Sequence, residues 1–272
     1  WADIQINKSP KYGYRLNKNI NKLFENKFRY ISNHVAASSC LEKEYLKLGV
    51  NKNKIYRIPN GVDLDRFNLL EKKLYKKNNE FINLLSVGRN EPKKNYKKLI
   101  DIFHTLQIRS KYKYKLKIIG SKVNLLQNYL DKKNIRFVEL IEPNNYDSEN
   151  EVKDFYNLPS RDILEAYLNA DIFVFASLIE SFGIVVLEAM AAGLPVVAFD
   201  VPGVNELIEN DFNGKLVEAN NIKTFVEAII SISDKDEINR MSNNSKNISK
   251  KYNWKYVANK YLEIYLKIIR EK

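Results

Sequence analysis

The chain has 272 residues, 44% hydrophobic and 29% charged, the balance of one or two folded domains and not of a disordered segment. No run approaches the roughly 18 consecutive apolar residues that a membrane-spanning helix needs. The 45 Lys and Arg outweigh the 33 Asp and Glu, for a formal charge of +12. That excess suits phosphate-bearing ligands, an anionic membrane face or nucleic acid, but it is smeared along the chain in short clusters such as Lys72-Lys73 and Lys76-Lys77. Such a pattern equally describes a solvated surface, so charge alone decides nothing. The single Cys40 excludes a disulfide framework and any multi-cysteine metal site, and the distant His34 and His104 make no zinc-ligand pattern. All three read as packing residues, which leaves catalysis to carboxylates, Arg, Lys, hydroxyls and backbone. The start, Trp1-Ala2-Asp3-Ile4, lacks the basic-then-apolar pattern of a signal; opening on Trp instead of Met, the chain is expected to be a fragment or a processed product.

In chain order, the first 66 residues read as a helix (Lys18 to Tyr30), a short strand (Val35 to Ala37), a second helix (Leu41 to Leu48) and a strand (Ile55 to Ile58) that stops at Pro59-Asn60-Gly61. This is the tail of an α/β unit without its beginning. The polar stretch Leu70 to Glu80 reads as a linker or surface loop. Six short apolar runs follow: Leu84 to Val87, Leu116 to Ile119, Arg136 to Ile141, Ile172 to Ala176, Pro195 to Phe199 and Lys215 to Val217. Helical patterns at Tyr96 to Leu106, Asp162 to Asn169 and Ile184 to Ala192 lie between them. Continuously apolar strands separated by helices predict an α/β fold with a Rossmann-like parallel sheet covered on both faces. Helical periodicity takes over from about Ile222. The expected division is an end-of-domain remnant with its linker over 1–66, a ligand-binding α/β domain over 67–248, and a terminal helix over 249–272.

Ligands of open parallel sheets bind beyond the carboxyl ends of the strands, and two such ends carry unusual residues. The first strand-to-helix loop runs Gly88-Arg89-Asn90-Glu91-Pro92-Lys93-Lys94-Asn95. Arg89 and Lys94 beside a helix start fit a phosphate site, although loop cations are common in a lysine-rich chain. The second runs Glu180-Ser181-Phe182-Gly183-Ile184-Val185 and continues into a helix apolar nearly all round, whose one charged residue is Glu188. A carboxylate at that depth needs a defined partner: a structural Arg or backbone, or a pair of ligand hydroxyls such as those of a ribose, to which it can accept two hydrogen bonds. Backbone N–H groups at Ser181 to Ile184, with Gly183 permitting close approach, suit a diphosphate.

Glu180 and Glu188, eight positions apart, frame an E-x7-E pattern, and five further words stand in order with it. They are Ile58-Pro59-Asn60-Gly61-Val62-Asp63, Gly88-Arg89…Lys94-Asn95, Ala170-Asp171, Glu188 to Val197, and Pro202-Gly203…Glu206-Leu207-Ile208. From about residue 30 onward the chain resembles the group 1 (family four) glycosyltransferases of GT-B fold, with most of the first domain absent and Trp254 to Ile269 similar to the helix that crosses back to it. The resemblance implies a nucleotide-sugar donor, UDP- or GDP-linked, transfer with retention of configuration to a glycan or lipid-linked acceptor, and neither metal nor cofactor. It assigns Arg89, Lys94 and Glu180 to catalysis, the cations neutralising the departing diphosphate and Glu180 lying beside the transferred sugar. Gly88, Ser181, Phe182, Gly183, Ile184, Val185 and Glu188 would bind donor, Glu188 at the ribose. It further implies a cytoplasmic protein in cell-envelope polysaccharide synthesis, with peripheral contact to the inner membrane surface as an expectation and nucleic acid as no partner.

Two departures from the pattern stand out. Val138-Glu139-Leu140-Ile141-Glu142-Pro143 is followed by a polar insertion, Asn144 to Lys153, where the family places the nucleobase, which leaves the base open. The truncated first domain predicts better donor binding than transfer, so a donor-binding subunit or catalytically incomplete fragment is the alternative reading. Asp63-Leu64-Asp65 and Asp234-Lys235-Asp236 match the D-x-D metal pattern of the other glycosyltransferase fold, but neither follows a strand of a nucleotide-binding sheet. Tyr256, Tyr261 and Tyr265 read as an interface stripe against the first domain.

Overall fold

The computed structural model describes residues 17–28, 30–71, 80–143 and 159–271. Its N-terminal unit comprises α1 (Lys18–Phe28), β1 (His34–Ala36), α2 (Ser39–Lys47) and β2 (Ile55–Arg57), and β1 pairs with β2 in parallel. Ala36, Leu41, Tyr45 and Val50 form its small core. His34 is buried there against Phe28 (4.5 Å) and Tyr45 (5.5 Å), so it packs as expected. The predicted helix 41–48 starts earlier, because Ser38 caps it by accepting from the Leu41 N–H.

The linker leads into α3 (Leu64–Glu71), a helix the sequence reading left out. Asp63 starts it, accepting from the N–H groups of Asp65 (3.1 Å) and Arg66 (3.4 Å), while Asp234 accepts from the Asp236 N–H at the start of a later helix. Both D-x-D matches are thus helix caps. The expected loop 70–80 begins inside α3, and most of it lies outside the described residues, as does the insertion 144–153.

The remaining elements are β3 (Ile82–Val87), α4 (Tyr96–Arg109), β4 (Tyr114–Ile119), α5 (Gln127–Lys133), β5 (Val138–Ile141), α6 (Arg161–Asn169), β6 (Ile172–Phe175), α7 (Ile184–Ala191), β7 (Val196–Phe199), β8 (Gly214–Val217), α8 (Ile222–Ser231), α9 (Lys235–Ser249) and α10 (Trp254–Arg270). Six strands form one parallel sheet in the order β5-β4-β3-β6-β7-β8. Every residue of β6 and β7 is buried, which is why these runs are apolar without alternation. The order reverses between β3 and β6. Asp171 pins that junction, accepting from the Asn83 N–H (2.9 Å) and Nδ2 (3.1 Å) while its own N–H donates to the Asn83 carbonyl (2.8 Å). A crevice opens at such a switch point, beyond the carboxyl ends of the two strands.

Helix α10 returns toward the N-terminal unit. The Val62 N–H donates to the Tyr252 carbonyl (2.8 Å), and the Trp254 N–H donates to the Val62 carbonyl (3.2 Å). The Trp254 indole lies so close over Gly61 that a Cβ there would come within 2.5 Å of it. Further along, Lys267 stands over the Tyr56 ring at 5.7 Å. The three tyrosines do not form one stripe. Tyr261 is half-buried, whereas Tyr256 and Tyr265 are 53% and 57% exposed, since a five-residue step turns the helix by about 140° away from the first of them. Among the described residues no helix is long and apolar enough to cross a membrane.

Candidate functional site

The loops after β3 and β6 meet above the switch point. Beyond β3, Gly88 leaves room for the Lys94 stem: a Cβ would fall 3.2 Å from Lys94 Cε. Residues Pro92–Lys94 form a single 3-10 turn, and Asn95 takes a left-handed conformation (φ 57°) before α4 begins. This tight entry sends Lys94 over the Phe175 ring at 4.8 Å, where its Nζ pairs with Glu180 Oε1 at 2.6 Å. The two side chains are 86 residues apart in sequence and each is only 13% exposed. Ser177 Oγ donates to the same Glu180 oxygen at 3.0 Å. The predicted lysine and carboxylate are therefore each other's partner, in a largely dehydrated place where their attraction is strong.

Arg89 stands differently. Its side chain is 70% exposed and pairs with Glu91 at 3.3 Å.

The second loop ends at Gly183, which holds φ +93° and begins α7 without a side-chain cap, so the first turn keeps N–H groups to offer a ligand. Phe182 is buried and anchors the loop against Tyr252, ring centroids 6.0 Å apart, while Ile184 is 49% exposed at the rim. Gly203 backs the loop at φ +87°; a Cβ there would lie 2.7 Å from the Ser181 carbonyl carbon and 2.8 Å from the Phe182 nitrogen. The glycine of the Pro202-Gly203 word is thus required by contact with the loop before α7.

One turn deeper, Glu188 Oε2 accepts from the Tyr167 hydroxyl at 2.9 Å. Among the described residues neither an arginine nor the backbone supplies the partner. Burial pushes the Glu188 carboxyl up to about 7, against a smaller lowering by the Tyr167 hydrogen bond. Burial and the facing carboxylate hold the Tyr167 phenol well above its ordinary range, so it stays a donor. Tyr167 lies on the α6 pattern read from the sequence, and its signal was available, since a buried phenol and a buried carboxylate both need partners. Ser177 carried no signal beyond its place at a strand end.

The N-terminal unit closes the site from the other side. Ser38 Oγ, which caps α2, donates to the Ser181 carbonyl, and Cys40 Sγ lies 3.6 Å from the same oxygen. Glu206 spans the seam: Oε1 accepts from the Ser39 N–H (2.8 Å) and Oγ (2.6 Å), and Oε2 pairs with Arg57 at 2.6 Å. A cavity of about 270 Å³ lies between the units, lined by Lys94, Glu180 and residues 181–185 on one wall and by Val35, Ala37, Leu41, Asn60 and Tyr261 on the other. Gly88, Arg89 and Glu188 lie outside this lining. Among the described residues no three His, Cys, Asp or Glu side chains cluster as a metal site.

This is a two-walled crevice at the reversal of a doubly wound sheet, lined by a lysine–carboxylate pair and an uncapped helix start: the anatomy of a ligand crevice in an open α/β domain. Residues 68–248 match the family described as "Glycosyl transferases group 1", and the chain belongs to that family. It is 29% identical over 253 residues to an Escherichia coli UDP-Gal:alpha-D-GlcNAc-diphosphoundecaprenol alpha-1,3-galactosyltransferase, covering 86% of this chain and 58% of that protein. The fold is shared with sucrose-phosphate synthase from Thermosynechococcus elongatus (TM-score 0.75, 21% identity, 96% of this chain and 64% of that one). It is also shared with Anabaena HepE in complex with UDP and glucose (TM-score 0.70, 18% identity, 93% and 67%). The chain thus spans little more than half the length of the Escherichia coli relative.

Proposed function

We propose that this chain is the donor-binding part of a glycosyltransferase that moves a sugar from a nucleoside diphosphate to a glycan or lipid-linked acceptor. The observation that carries the reading is the Lys94–Glu180 pair, set at the switch point beside the uncapped start of α7. An arriving diphosphate competes for Lys94. Nζ then shares its charge with phosphate oxygens, and Glu180 is freed to accept from sugar hydroxyls. As the bond from the anomeric carbon to the phosphate oxygen breaks, its electron pair leaves with the diphosphate. The acceptor hydroxyl oxygen forms the new bond at that carbon, and its proton passes to the departing phosphate oxygen. Charge grows on the departing phosphate, where Lys94 and the N–H groups of residues 183–185 are already placed, and such preorganisation lowers the barrier. Arg89 reaches the phosphates by leaving Glu91. Glu188 receives the ribose hydroxyls.

Retention of configuration and independence of metal belong to the proposal, as does a UDP-linked donor, which the names of the Escherichia coli and Anabaena relatives favour. The chain spans 58% of the Escherichia coli relative, and the proposal assigns donor binding to the residues present. Calorimetric titration with UDP, GDP and ADP, in metal-free buffer, tests the reading. Selective binding of one nucleotide, weakened about 10- to 100-fold in Glu188→Ala through loss of charge-assisted hydrogen bonds, is the expected result. Absence of binding by all three would sink it.

A further inference from the structure

The clasp between the linker and the start of α10 forms a second groove. Lys250–Tyr252 make a 3-10 turn between α9 and α10, and the Val62–Tyr252 and Trp254–Val62 backbone hydrogen bonds hold the linker against it. Pro59, Lys250, Lys251, Tyr252, Tyr256 and Lys260 line an open groove of about 590 Å³. Tyr256 and Lys260 stand four residues apart and so share one face of α10, with Lys260 Nζ 4.6 Å over the Tyr256 ring. None of the six residues lines the crevice above the switch point.

The charge of this groove is one-sided. Among the described residues no acidic side chain lines it, and no ion pair reaches Lys250, Lys251 or Lys260. On α10 outside the groove, by contrast, Lys255 pairs with Asp65 (3.0 Å) and Lys267 with Glu271 (3.9 Å). Lys250 donates one proton to Asn247 Oδ1 at 3.0 Å and keeps two more. Lys251, Lys260 and both tyrosine hydroxyls make no hydrogen bond among the described residues. Glu206 and Glu209 act on Tyr252 from outside the groove, and Glu206 is already held by Ser39 and Arg57. Three ammonium groups gathered without a counter-charge repel one another, and a concave surface of one sign concentrates anions. A phosphomonoester carries roughly 1.5–2 negative charges near pH 7, so two phosphate groups balance three lysines. The tyrosine hydroxyls add donors for further oxygens.

We infer that this groove is a binding site for a phosphate-bearing anion, separate from the crevice. The site stands whether or not the crevice takes a nucleotide.

The test uses the whole chain in metal-free buffer and two probes. Inorganic pyrophosphate is followed by calorimetry, and vesicles of equal parts phosphatidylcholine and phosphatidylglycerol by co-sedimentation. Lys94→Met is present in every protein compared and silences the crevice. The groove variant is Lys251→Gln/Lys260→Gln. The control, Lys255→Gln/Lys267→Gln, removes the same charge outside the groove. The groove variant is expected to lose about tenfold or more in pyrophosphate affinity, as for at least one charge-assisted hydrogen bond, while the control and the thermal midpoints stay with the parent. Selective loss with pyrophosphate identifies a soluble anion, and selective loss with vesicles alone identifies a phospholipid headgroup; either supports the site. Equal behaviour of groove and control variants with both probes, through equal loss or through no binding, would overturn it and make these lysines diffuse surface charge. UDP binding by the unaltered chain is measured alongside. Its failure would sink the glycosyltransferase reading and leave the outcome for the groove untouched.

Discussion

In the proposed function Glu188 and Lys94 meet the two ends of a bound nucleotide, and their surroundings make separable predictions. With the Glu188 carboxyl pushed up to about 7, the ionised form that accepts from ribose hydroxyls grows from about a tenth to about nine-tenths between pH 6 and 8. Nucleotide affinity should therefore rise with pH across that window by up to about tenfold. Glu188→Gln removes this component and leaves the ligand's own titration as the baseline. Equal pH profiles for the two proteins would remove Glu188 from the ribose. Stability of the free protein runs the other way. The folded state keeps a proton that the unfolded chain releases near the ordinary value of 4.5, so this contribution falls as pH climbs to about 7 and is flat above. Lys94 tests the phosphate end. Lys94→Met should cost UDP one to two decades of affinity and leave uridine unaffected, because a nucleoside has no diphosphate to lose. An equal loss for both ligands would mean that the loop had collapsed.

At the scale of elements, the donor loop is held by parts distant in sequence. Gly203 backs it, Ser38 takes its Ser181 carbonyl, and Glu206 ties α2 and Arg57 to the sheet domain. Among the described residues the small N-terminal core has four buried hydrophobic residues, few to hold two strands and a helix by themselves. Its stability leans on that seam. Glu206→Ala removes the acceptor of the Ser39 N–H and hydroxyl and the Arg57 partner together, for about 1–3 kcal/mol. Amide exchange over 34–58 should accelerate accordingly, while β3, β4 and α4 keep their protection. Uniform acceleration across both units would show that the seam carries no local role. Periodicity revealed the sheet strands and the three helices between them, since continuous burial and one-sided burial leave different patterns. It did not reveal α3 or α5, which at eight and seven residues are too short for a helical repeat to stand out.

For the whole molecule, the chain by itself determined the class of fold and the two loops that meet above the switch point. Strands buried on both faces must be apolar throughout, and loops that hold phosphates must combine cations, glycine and a helix start, so both leave traces in the order of residues. The family words extended that reading to the roles of Lys94, Glu180 and Glu188. Tertiary structure decided which groups face one another. The reversal between β3 and β6 places Lys94 against Glu180, brings Tyr167 under Glu188, and leaves Arg89 exposed beside Glu91. It also made a second wall from the linker and the terminal helix, where neither Asn60 nor Tyr261 had a local pattern to announce it. The reason is physical. Burial and helix geometry act between neighbours in sequence, whereas ion pairs and cavities form between residues that only the packing of the sheet brings within a few ångströms of each other.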